Sequence, residues 1–209
     1  MSFYSSLFSR FTLELNLNKI MTNTQNCTET EFKTSSSPET LISESDVKVR
    51  VEKLEKRQRR ILAQIQIPYS LEQVWQVLTD YEAFVEFMPN LIESRRLQHS
   101  TAGDLIEQVR TKSFMGRNFS ARSVFKVKEE FPHLIHYQLV EGEMKAFSGY
   151  WRLEPIGSPE SDAGTNLIYD FFVLPKRVFP MALVERVLNH DIPMELLAIR
   201  QRVADLYDA

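Results

Sequence analysis

Two periodicities meet in the stretch Ile67-Pro68-Tyr69-Ser70-Leu71-Glu72-Gln73-Val74-Trp75-Gln76-Val77-Leu78-Thr79-Asp80-Tyr81. Upstream of it Ile61, Ala63, Ile65 and Ile67 alternate with polar residues such as Gln64 and Gln66, the two-residue period of a strand with one buried face. Pro68 offers no N–H to a sheet ladder and ends that strand. Ser70 with Gln73 has the spacing of a capping box, and Val74, Trp75, Val77 and Leu78 share one helical face. After Asp80, the residues Tyr81, Phe84, Phe87 and Met88 fall three and four apart, predicting a second short helix that Pro89 closes.

Outward from this junction almost everything is strand. Val47–Val51 alternates apolar and charged residues, and further segments are expected at Leu91–Leu97, Asp104–Ser113, Asn118–Lys128, Leu134–Val140, Met144–Pro155 and Thr165–Leu174. Phe147, Gly149, Trp151 and Leu153 oppose Ser148, Tyr150 and Arg152, while Leu167, Tyr169, Phe171 and Val173 oppose Ile168, Asp170 and Phe172. One face is aromatic and the other mixed, as in an antiparallel sheet buried on one side. From Met181 to Tyr207 the period changes to that of a long helix, with Leu188, Ile192, Ile199, Val203 and Leu206 in a stripe. Pro193 should kink this helix or open its second half, with Asp191 as the local N-cap. The expected fold class is α+β: a curved antiparallel sheet of about seven strands around a long C-terminal helix, with two short helices after the first strand.

The chain has 209 residues, 43% hydrophobic with 14 Phe, enough apolar material for one sizeable core. Residues 1–45 differ from the rest. Thr22–Ser45 is dominated by Ser, Thr, Asn and Glu and reads as disordered, while Met1–Ile20 fits either a weak organelle-targeting peptide or a gene start that belongs at Met21. The folded domain is expected over 46–209. A single cysteine, Cys27, excludes an internal disulfide framework and a cysteine-based zinc site. The net charge of −3 gives no global attraction to nucleic acid. No apolar run approaches the roughly 20 residues of a membrane span. A cytoplasmic monomer is expected, with peripheral membrane contact, or a plastid protein if the host is a plant or alga.

The motif at 67–81, followed by Phe84-x-x-Phe87-x-Pro89, Phe119-Ser120-Ala121-Arg122, Phe147–Leu153 and Leu197-Ala198-Ile199-Arg200-Gln201-Arg202, resembles the polyketide cyclase/dehydrase and coenzyme Q-binding START-like proteins of the helix-grip superfamily. The later motifs resemble members found in cyanobacteria and plastids. The resemblance covers about residues 47–207. It implies a cavity between sheet and C-terminal helix, used by some members to carry lipids or quinones and by a few to cyclise polycyclic products. It does not imply one activity.

Catalytic signals are sparse. Phosphate loops, nucleophile elbows and zinc-protease motifs are absent, and His99, His133, His136 and His190 do not pair at metal spacing, so no metal or cofactor is expected. The period places Asp170 on the outward face, against a role as acid or base. Glu107 and Arg110 lie in a strand without a clear apolar face and are the polar cavity candidates. The expected walls are Phe84, Phe87, Met88, Phe119, Phe125, Tyr137, Trp151, Tyr169, Phe171, Ile192 and Ile199. Strand parity puts two loops with large apolar residues and cations at one end, and Phe114, Met115, Arg117, Lys176, Val178 and Phe179 are the expected mouth, either facing an anionic membrane or plugging the barrel end. The charged run Lys53–Arg60 reads as a solvated hairpin. These features favour a non-catalytic binder or carrier of a hydrophobic small molecule. The alternatives are a cyclase or dehydratase using Tyr137, Glu107 or Arg110, and an adaptor whose cavity is filled.

Overall fold

A computed structural model describes residues 47–99, 103–157 and 164–208. The expectations for residues 1–45 lie outside the described residues. The elements are β1 (Val47–Lys53), β2 (Arg59–Ile67), α1 (Leu71–Thr79), α2 (Phe84–Phe87), β3 (Leu91–Gln98), β4 (Asp104–Phe114), β5 (Arg117–Glu130), β6 (Leu134–Gly142), β7 (Met144–Pro155), β8 (Thr165–Pro175), α3 (Met181–Arg186) and α4 (Ile192–Tyr207). A π-helical turn, Val187–Asp191, joins the last two helices. The strands form one antiparallel sheet in the order β1-β2-β8-β7-β6-β5-β4-β3. It has eight strands rather than about seven, because Val47–Lys53 pairs with β2 as an edge strand, so two strands precede the short helices. None of the described helices is long and apolar enough to cross a membrane.

The capping box at α1 forms as the sequence requires: Ser70 Oγ accepts from the Gln73 N–H and the Gln73 side chain accepts from the Ser70 N–H. The buried face of β2 (Ile61, Ala63, Ile65, Ile67) registers directly with that of β8 (Phe171, Tyr169, Leu167, Thr165). Leu196, Ile199 and Val203 of α4 are fully buried in the same core. Leu206, the last residue of the expected stripe, is exposed.

The C-terminal helix is not continuous α-helix. Pro193 has no N–H for the carbonyl four residues back, and its ring crowds that carbonyl. The turn before it widens, so the Ile192 N–H reaches the Val187 carbonyl. Asp191 therefore has helical backbone and caps nothing with its side chain, contrary to expectation. Its carboxylate is used elsewhere.

Gly149 sets the spacing of the concave face. It lies between Tyr137 of β6 and Phe171 of β8 in the register. A Cβ there would come within 2.1 Å of the Asp170 carbonyl oxygen and 2.7 Å of Phe171 Cγ. Its absence lets the Tyr137 and Phe171 rings approach to 6.0 Å across β7.

Candidate functional site

The concave face has an aromatic side and a polar side. Aromatic residues at alternate positions of β5 to β8 converge there: Phe125–Phe147 centroids are 5.3 Å apart, Phe147–Phe171 4.9 Å, Tyr169–Phe171 4.2 Å and Trp151–Tyr169 4.7 Å. Several of these pairs are tilted or edge-on, the arrangement that ring quadrupoles favour. Trp151, Tyr137, Tyr169, Phe125, Phe171, Ile192 and Ile199 are all buried in the same core. Phe87 is not part of it. It is half-exposed and lines a cleft of about 300 Å³ between α1, α2 and α4, with the Arg202 guanidinium over its ring at 5.6 Å. Phe84 and Met88 are buried, with the Phe84 ring between those of Tyr81 and Phe87.

On the polar side, Ile106, Gln108, Arg110, Lys112 and Phe114 occupy alternate positions of β4, so they share the face on which Ile106 joins the core. Arg110 Nη1 donates to Glu195 Oε1 of α4 at 2.5 Å. Lys112 Nζ donates to Asp191 Oδ1 at 2.9 Å, and Asn90 Nδ2 reaches the other Asp191 oxygen at 3.3 Å. Both carboxylates are buried, whereas the cations are partly exposed. The match follows from geometry: two residues of strand advance about 6.6 Å and four residues of helix about 6 Å. Glu195 and Asp191 were missed in the sequence. The signal was an i, i+2 pair of cations on a strand and an i, i+4 pair of acids on a helix.

Glu107 lies on the opposite face, which corrects the expectation that it lines the cavity. Its carboxylate accepts from Arg95 Nε at 2.5 Å and from Arg122 Nε at 2.5 Å, on strands either side of β4. The Arg95 guanidinium, aided by Arg122 and opposed by burial, holds the Glu107 carboxyl below its ordinary range. Asp170 also faces outward, as the period requires, yet is buried beneath a bidentate Arg60 (2.9 and 2.8 Å) and the Tyr150 hydroxyl (3.1 Å).

Two phenols, Tyr137 of β6 and Tyr169 of β8, belong to the aromatic cluster. Tyr137 and Tyr169 are 7% and 6% exposed, and neither hydroxyl has a hydrogen-bond partner among the described residues. Burial raises both phenol pKa values, with the charge of Glu129 adding to that of Tyr137 and Glu195 to that of Tyr169. Each hydroxyl is a donor and acceptor to which a polar atom of a guest can hydrogen-bond.

Burial raises the Glu195 pKa against the opposing pull of Arg110. A carboxyl with a raised folded pKa contributes stability below its unfolded value, lost as pH climbs through the folded one. Glu195→Gln should therefore flatten the decline in stability as pH rises above the ordinary 4.5. Denaturant midpoints across pH check this.

The mouth residues divide. Met115 and Val178 are 86% and 65% exposed, and Arg117 is exposed. Phe179 is buried, with its ring 6.2 Å from that of Phe119, so it plugs the barrel end rather than facing out. Phe114 is half-buried against the core, and Lys176 pairs with Glu143 at 3.6 Å. Nor is the Lys53–Arg60 hairpin merely solvated. Arg57 Nη2 donates to the carbonyls of Lys176 (3.1 Å) and Phe179 (2.5 Å), and Arg59 Nη2 to Glu185 (2.8 Å). Arg57→Ala should lower the opening free energy of residues 176–179 by about 1–3 kcal/mol. Hydrogen exchange confined to that segment would report it.

A curved sheet holding a C-terminal helix over an aromatic face is the arrangement of known lipid-transfer and cyclase folds. The family model for polyketide cyclase/dehydrase and lipid transport matches residues 67–196. The chain belongs to this family. A STAR-related lipid transfer protein from Xanthomonas axonopodis shares the fold at a TM-score of 0.61 and 18% identity, over 76% of this chain and 94% of that one. Human STARD10 does so at 0.63 and 14%, over 90% and 78%. The Zhui aromatase/cyclase from a Streptomyces species gives 0.56 and 14%, over 70% and 93%. Among curated proteins, the ribosome association toxin RatA of Escherichia coli K12 is 27% identical over 106 residues, 50% of this chain. The match spans 64% of that relative's length. The family thus contains both carriers and cyclases on one scaffold, and its fold fits binding of a hydrophobic small molecule.

Proposed function

We propose that this family member binds and carries a hydrophobic small molecule, a lipid, quinone, isoprenoid or pigment-related compound, on the concave face without transforming it. The observation that supports this most is the converging aromatic face of β5 to β8, which carries the phenols Tyr137 and Tyr169 and shares the concave side with the Arg110–Glu195 pair. Phe125, Trp151 and Phe171 supply dispersion and exclude water from an apolar body, while the phenols and Arg110 orient one or two polar atoms.

The two tryptophans allow a direct test. Trp151 packs on Tyr169 in the aromatic cluster, whereas Trp75 of α1 stacks edge-on against the exposed Phe131. In Trp75→Phe protein, titration with a panel of quinones, fatty acids and isoprenoids should change Trp151 fluorescence saturably for at least one compound. In Trp151→Phe protein the same compound should leave Trp75 emission unchanged. A panel that leaves Trp151 unaffected throughout contradicts the reading.

Glu195 favours one second reading. A buried carboxyl with a raised pKa, paired with Arg110 and within electrostatic reach of the Tyr169 phenol, has the elements of an acid–base site for a cyclase or dehydratase. In that case Glu195→Gln abolishes turnover while Trp151 still reports binding. Glu107, on the far face, has no part in either reading.

A further inference from the structure

We infer that the free tip of the β4–β5 hairpin and the segment 176–178 form a docking surface for an anionic lipid membrane. Residues 111–122 are a two-stranded arm that pairs only with itself beyond its first residues. Ladder pairing of β4 with β3 ends at Arg110–Leu91, and that of β5 with β6 starts at Ser123–Gly142. The Phe119–Phe179 contact ties the arm to the loop after β8, so the arm tip and residues 176–178 belong to one rim.

The tip is unusual for a hairpin that serves only the fold. Met115 and Gly116 both have left-handed backbone, with φ of 51° and 73°. Such a turn favours Asn or Gly at its first position, and a methionine there is strained. That strain gains no internal packing, since Met115 is 86% exposed. Val178, also largely exposed, is the second apolar tip.

Charge then selects the partner. The arm 111–122 carries Lys112, Arg117 and Arg122 and no acid, and residues 175–181 carry Lys176 and Arg177 and no acid. Lys112, Arg122 and Lys176 are used in ion pairs with Asp191, with Glu107 and Glu141, and with Glu143. Arg117 and Arg177 have no acidic partner among the described residues, and each lies within two residues of an exposed apolar tip. This cationic rim belongs to a chain of net charge −3, so the positive field is local. A protein interface needs a contiguous patch of hundreds of Å², whereas a bilayer accepts isolated apolar side chains flanked by cations that stay among the headgroups. The inference deepens the carrier reading and rests on it for its purpose, because a carrier of hydrophobic molecules has to meet the membranes that hold them.

The test is co-sedimentation of the full chain with vesicles of phosphatidylcholine alone and of phosphatidylcholine with phosphatidylglycerol, no cargo being added. Binding is expected only to the anionic vesicles, weakening as salt is raised. Arg117→Gln/Arg177→Gln and Met115→Ser/Val178→Ser should each lower that affinity roughly tenfold or more. All four side chains are exposed or at the rim, and an unchanged melting temperature confirms that each variant folds. Failure of the full chain to bind anionic vesicles, equal binding to neutral ones, or variants that bind like the parent would overturn the inference. Binding that needs the arginines but not Met115 and Val178 would also overturn it. Trp151 titration in vesicle-free solution reports cargo separately, so the failure of docking and the failure of the carrier reading are distinguishable.

Discussion

Phe171→Ala should destabilise the domain by about 3–5 kcal/mol, the usual cost of removing a buried aromatic ring. Phe171 is 2% exposed and touches the rings of Tyr137, Phe147, Trp151 and Tyr169. It sits opposite Ile61 of β2 and Gly149 of β7, at the centre of the sheet. Neighbouring strands hold the surrounding backbone, so the void cannot collapse fully. At about 2–4 °C per kcal/mol for a domain of this size, the melting temperature should drop by roughly 10 °C. A loss below about 1 kcal/mol would show that the ring is not integral to a packed wall.

Gly149→Ala should cost at least about 3 kcal/mol, at the upper end for overpacking. The added methyl would meet a backbone oxygen at 2.1 Å, and a carbonyl held in a β7–β8 ladder cannot move aside as a flexible side chain would. Part of the clash is with the Phe171 ring, at 2.7 Å from Cγ. The double variant Gly149→Ala/Phe171→Ala should therefore lose less than the sum of the two single changes. Thermal midpoints of the four proteins measure this. Strict additivity would mean that residue 149 does not set the ring spacing.

Much of the fold was legible because strand faces repeat every two residues. Ile61–Ile67, Phe147–Leu153 and Leu167–Val173 declared their inner faces without any knowledge of their neighbours. The site was less legible where its chemistry depends on register. Glu107 sits in a strand of mixed polarity, and only its alignment with Arg95 and Arg122 on adjacent strands reveals the outer face. Glu195 looks like an ordinary acid in a first helical turn until the helix is laid over Arg110. Phe87 counted as a wall residue because its spacing is helical, yet spacing does not say against which element a helix packs. In the loop after β8 there is no period at all, so nothing local distinguishes buried Phe179 from exposed Val178.

A carrier of this kind holds one apolar molecule per chain on its concave face. Native mass spectrometry of the full chain purified from its own host under non-denaturing conditions tests it most directly. A single non-covalent adduct is expected, released on denaturation and extractable into organic solvent. The recovered compound, added back to stripped protein, should rebind at one equivalent and perturb Trp151. A spectrum showing only the mass of the chain, from protein that then binds none of the hydrophobic panel, would contradict it.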